Sequence, residues 1–124
     1  MERMVNARKI LAECLLTMSS DRPIAVRIKD AYRNSFSRLV AKDFPFTIRE
    51  NYFSLSKMFY ALANGEQLRM GMETVETNPA ADERVAELSG LLIDFYTKLS
   101  DWIATERYLE HSSTPRSYRY PLAF

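Results

Sequence analysis

Apolar residues recur along this chain at alternating spacings of three and four. The longest run, Val85, Leu88, Leu92, Phe95, Leu99 and Trp102, keeps the pattern without a break. At 3.6 residues per turn all six fall on one helical face, and that face must be buried against other helices. The same spacing occurs at Met4, Ala7, Leu11, Cys14 and Met18, at Ile24, Ile28, Ala31 and Leu39, and at Ile48, Tyr52, Leu55, Phe59 and Leu62. A shorter version sits at Leu68, Met72 and Val75. The pattern predicts an all-α protein: an antiparallel bundle of four main helices plus one short helix, with an extended C-terminal tail.

Boundary residues divide these stripes into elements. The first helix should run from about Glu2 to Met18 and end at Ser19-Ser20-Asp21. Those residues can cap a second helix that carries Pro23 in its first turn, where a missing N–H costs nothing. That helix is expected to reach about Lys42, before Asp43-Phe44-Pro45 breaks it. Thr47-Ile48-Arg49-Glu50 then reads as a capping box opening the third helix. Asn64-Gly65 should close it, being residue types that accept the left-handed C-terminal conformation. The short helix spans Glu66 to Thr77. Asn78-Pro79, followed by Asp82 and Glu83, starts the last helix, which should extend to about His111. Residues 1–111 thus form the bundle domain and residues 112–124 the tail.

Composition narrows the class. A chain of 124 residues suits one domain with its own core. Three glycines argue against phosphate-cradling loops, and a single cysteine excludes an internal disulfide. No apolar run approaches the ~18 residues needed to cross a bilayer. The stretch Ile10–Leu16 contains Glu13, which suits an amphipathic helix better than a secretory leader. A cytoplasmic protein without a membrane anchor is expected. The net charge of +1 conceals an asymmetry: ten basic residues against five acids through Arg49, then seven against eleven. Such halves can attract each other within one fold or offer a basic face to an anionic partner.

Candidate chemistry is sparse. Cys14 lies on the first apolar stripe, where a small core residue is the ordinary reading. A catalytic thiol would need a histidine beside it, and the only one, His111, is at the other end of the chain. One histidine cannot supply the paired ligands of a di-iron bundle, and Glu106, Glu110 and His111 do not share one face for zinc. No metal site, cofactor or catalytic set is therefore expected, and the chain does not read as an enzyme. Glu106 continues the last stripe, either projecting past the bundle into water or buried against an arginine. Glu87, Asp94 and Asp101 repeat every seven residues on the face away from the core, as a solvated face does.

Two features suggest partners. On a continuous second helix, Arg27, Arg38 and Lys42 would share one flank of the apolar stripe, with Arg22, Lys29 and Arg33 on the other. This divided basic helix supports nucleic-acid binding only as an alternative. The second feature is aromatic density between Tyr32 and Tyr60 and in the tail. Phe53 and Tyr60 point off their stripe, as do Tyr96 and Tyr108 on the last helix. A wide core would bury them; an exposed aromatic and methionine groove, including Met58, Met70 and Met72, would bind a partner helix. The tail carries Tyr118, Tyr120, Leu122 and Phe124, whose burial would contribute ~6–12 kcal/mol. Ordering thirteen backbones costs more, at ~1–2 kcal/mol apiece, so the tail needs a groove that also takes its hydrogen bonds. That groove belongs to its own bundle, a second copy or a partner. The expectation is a non-enzymatic interaction module, such as a small adaptor, chaperone or assembly factor. Phe53, Tyr60, Tyr118, Tyr120 and Phe124 are its candidate contacts with another protein or a second copy.

Overall fold

The computed structural model describes residues 1–64 and 79–110, with side-chain surroundings in the last helix from residue 83 onward. It is all-α. Four helices, α1 (Glu2–Met18), α2 (Ile24–Asn34), α3 (Arg49–Ala63) and α4 (Pro79–Glu110), form the frame. Successive helices pack side by side, and α4 returns to α1, closing a ring of four.

Side-chain contacts give the directions. Cys14 in the last third of α1 meets Ala31 of α2, and Met18 meets Arg27. Tyr32 and Phe36 meet Phe59 of α3, and Phe36 also meets Tyr52. Phe95 of α4 packs on Tyr52, while Met4 near the start of α1 shares a cavity wall with Trp102 and Glu106 near the end of α4. Each neighbour is thus antiparallel, in up-down-up-down order.

The core follows the apolar stripes. Ala7, Leu11 and Cys14, then Ile28 and Ala31, then Ile48, Tyr52, Leu55, Phe59 and Leu62, and finally Val85, Leu88, Leu92, Phe95 and Leu99 are all buried. Ile10 and Ala25 widen the faces of α1 and α2. On α4 the core line passes from Leu99 to Ile103, which is fully buried, and leaves Trp102 half-buried at the edge. A continuous set of ring contacts runs through the interior from Tyr32 and Phe36 of the α2 region, across Phe59 and Tyr52, to Phe44 and Phe95. Edge-on and offset rings of this kind add ~0.5–1.5 kcal/mol per pair beyond the area they bury.

The largest departure from the expected layout is the length of α2. It ends at Asn34 rather than Lys42, and three single 3-10 turns, Phe36–Arg38, Ala41–Asp43 and Phe46–Ile48, carry the chain to α3. Continuing the helix would aim Ser35, Leu39 and Lys42 at the core and leave Phe36 on its flank. Breaking it at Ser35 instead buries Phe36, Leu39 and Phe44 together and keeps Lys42 exposed. The Asp43 carboxylate secures the middle turn by accepting from the Val40 N–H at 2.9 Å. Tyr52 anchors the first by donating its hydroxyl to the Leu39 carbonyl at 3.0 Å.

Two caps also differ. No side chain caps α3: its N-cap is Ile48, and Thr47 lies exposed in the preceding 3-10 turn, so the expected capping box does not form. At the other end Asn64 adopts a right-handed conformation (φ −80°) and bonds back to the Tyr60 carbonyl. The short helix expected over Glu66–Thr77, together with Met70 and Met72, lies outside the described residues, as do His111 and the tail.

Candidate interaction surface

Helix α3 separates its aromatic residues into two sets. Tyr52 and Phe59 face the core, and the residue after each, rotated by 100°, does not. Phe53 is 57% exposed and Tyr60 56% exposed. Seven residues apart, these two lie two turns from each other on the same flank. Tyr60 sets its ring edge-on to Tyr32 of α2, with centroids 5.9 Å apart. Phe53 leans on the rim of the buried Tyr52 ring at 5.6 Å. A wide core is therefore not what holds Phe53 and Tyr60.

The flank continues beyond the helix. Arg49, four residues before Phe53, donates its Nε–H to the Phe44 carbonyl at 3.0 Å, which fixes the guanidinium over the Phe46 ring at 5.9 Å. Phe46 itself is 80% exposed, the most exposed large apolar side chain of the described residues. Phe46, Arg49, Phe53, Tyr60 and Tyr32 thus line one edge of the bundle from the turns before α3 to the contact with α2. Aromatic residues and arginine are the types enriched in protein–protein contacts, because they bury much area with few rotatable bonds. Phe46 escaped the sequence reading because it precedes the helix. Its spacing of seven from Phe53, repeated from Phe53 to Tyr60, is the signal that could have found it.

The basic residues are distributed differently from the expectation. With α2 ended at Asn34, Arg38 and Lys42 are no longer on that helix, and the flank they were to share with Arg27 does not exist. Arg27 is half-buried and donates to the Met18 carbonyl at 2.9 Å, satisfying an end carbonyl of α1. Arg38 pairs with Glu13 and Arg22 with Asp30. Lys42 remains exposed beside the second of two cavities described next.

Two open cavities flank Trp102 at the end of the bundle where α1 begins and α4 ends. One, about 360 Å³, lies between Thr47–Ile48 and the Lys98–Leu109 part of α4. The other, about 390 Å³, lies between the first residues of α1 and the 42–46 turns. Trp102 and Glu106 line both. Glu106 is half-exposed, at the bundle's end and not within its core.

Cys14 is fully buried and gives its thiol to the Ala31 carbonyl at 3.7 Å. Burial, and then the Glu13 charge, push its pKa up to about 12, so the thiolate a nucleophile needs is absent at neutral pH. Glu87, Asp94 and Asp101 are exposed, with Glu87 near Arg84 at 3.9 Å and Asp94 near Lys98 at 3.3 Å. Among the described residues, no three side chains of metal-ligating type converge, and no helix is long and apolar enough to cross a membrane. No protein-family description, curated protein or solved structure matches this chain.

Proposed function

We propose that this chain is a non-enzymatic interaction module that binds another protein, or a second copy of itself, through the aromatic edge of α3. The observation that carries this reading is the exposure of Phe46, Phe53 and Tyr60 along one flank while neighbouring aromatics fill the core. Three large rings held in water on one line forgo burial that each would gain elsewhere, about 1.5–3 kcal/mol for a side chain of this class. A surface that keeps them fits a partner that covers them, most simply the apolar face of a helix laid along α3. The tail residues Tyr118, Tyr120 and Phe124, expected to act with them, lie outside the described residues.

The test compares the wild-type chain with a combined Phe46→Ser, Phe53→Ser, Tyr60→Ser variant as baits in lysate of the source cell, with and without nuclease. The proposal expects one stoichiometric protein, this chain or another, that the wild type retains regardless of nuclease and the folded variant loses. Equal retention by both, or recovery that vanishes after nuclease, would overturn it; the second result would return attention to the basic residues Arg27, Arg38 and Lys42.

A further inference from the structure

Trp102 is the only tryptophan of the chain, and it stands half-exposed between two cavities at the end where α4 finishes. Leu109, which lines the α3-side cavity, is one residue before the last described residue of α4. Fourteen further residues follow. We infer that residues 116–124 of the same chain occupy the cavity between Thr47–Ile48 and α4, covering Trp102. This inference stands apart from the aromatic edge of α3.

Reach, charge and surface character each support it. The cavity wall on α4 extends from Leu109 back to Lys98, which at 1.5 Å per residue is about 16 Å. Nine extended residues span up to about 30 Å, so residues 116–124 can run back along this wall after residues 111–115 reverse the chain. The segment Ser112–Phe124 contains Arg116 and Arg119 and no acid. The wall offers the carboxylates of Asp101 and Glu106, and Asp101 has no ion pair among the described residues. Its apolar part, Ile48, the Trp102 indole and Leu109, suits Tyr118, Tyr120, Leu122 and Phe124. The hydroxyls of Thr47 and Thr105 on the same wall supply polar groups that an extended backbone needs if it is to be buried. The second cavity fits less well, since Arg3 and Lys42 on its walls would repel the tail's arginines.

Trp102 itself is the reporter. In the full-length chain, a combined Tyr118→Ser, Tyr120→Ser, Leu122→Ser and Phe124→Ser variant should shift Trp102 emission to the red. Acrylamide quenching should rise about twofold as the indole becomes exposed, with unchanged far-ultraviolet circular dichroism. Arg119→Glu alone should raise quenching in a salt-dependent way, and adding Asp101→Arg should restore it. This charge exchange decides the matter even if the quadruple variant fails to fold. Identical quenching in wild type and variants, or failure of Asp101→Arg to rescue, would overturn the inference. So would quenching that falls as protein concentration rises, because a second copy would then supply the segment.

Discussion

The two aromatic sets of α3 differ by one residue in sequence and by nearly everything in environment. Phe59 is fully buried and touches the rings of Tyr32 and Phe36; Tyr60, the next residue, is more than half exposed and touches one ring on α2. Tyr52 and Phe53 repeat the division two turns earlier. Phe44 and Phe46 repeat it before the helix starts, with one ring against Phe95 and the other under Arg49. Residue type does not distinguish the sets, since each contains phenylalanine and tyrosine. Position relative to the core line of α3 does. The inner set holds the bundle together, and the outer set is available for a second molecule.

The comparison is broken most severely by removing an inner ring. Phe59→Ala should cost ~3–5 kcal/mol, through lost transfer energy and the cavity left behind. Tyr60→Ala should change stability by less than about 1 kcal/mol, since half of its surface is already in water. Urea unfolding of the two variants measures both. Equal losses would mean that the outer ring is structural.

The interior can also be challenged by alkali. The Cys14 pKa rises from an ordinary 9.0 to about 12 in the fold. A raised folded-state value gives stability that is complete below pH 9 and is lost as pH rises toward 12. Between pH 9 and 10.5 this amounts to about 2 kcal/mol, at 1.36 kcal/mol per pH unit. Cys14→Ala should start from a lower stability at neutral pH and lose less over that interval, as denaturant midpoints at several pH values would show.

A smaller effect separates the ring of Tyr52 from its hydroxyl. Burial raises its pKa, so its contribution too persists below about pH 10 and declines above. Tyr52→Phe keeps the ring and removes the bond to the Leu39 carbonyl, costing ~1–3 kcal/mol if that carbonyl stays dry and less if water reaches it. Thermal unfolding at neutral pH reads this cost. The smallest effect belongs to the outer set: Phe46→Ser and Phe53→Ser should each stay within about 0.5 kcal/mol of wild type.

Much of this architecture was legible in the spacing of apolar residues. The stripes of α1, α3 and α4 named the core almost residue by residue, because each helix buries one continuous face. Spacing failed where the chain leaves that geometry. A helix continued through Ser35 looked acceptable because Leu39 falls on the apolar line, but the same line requires Lys42 to be buried. Phe36 and Phe44 reach the core only when three 3-10 turns replace that helix. The Thr47 capping box failed for a related reason: the preceding turn places Ile48 at the N-cap, and the threonine faces water. The candidate surface was half legible. Phe53 and Tyr60 could be identified as off the stripe, yet whether an off-stripe ring is buried depends on which neighbours flank α3, and that is a property of the assembled ring of helices. Arg27, Arg38 and Lys42 were grouped by an angle that holds only for an unbroken helix.

The most direct test of the account asks whether a second molecule covers the outer flank. A photo-crosslinking amino acid at Phe53 in the source cell should yield one dominant product, whose mass identifies this chain or another protein. The same probe at the neighbouring exposed Ser54, another 100° around α3 and farther from the core, should yield little. No product at Phe53, or equal products at both positions, would contradict the claim that this aromatic edge is where the protein meets its partner.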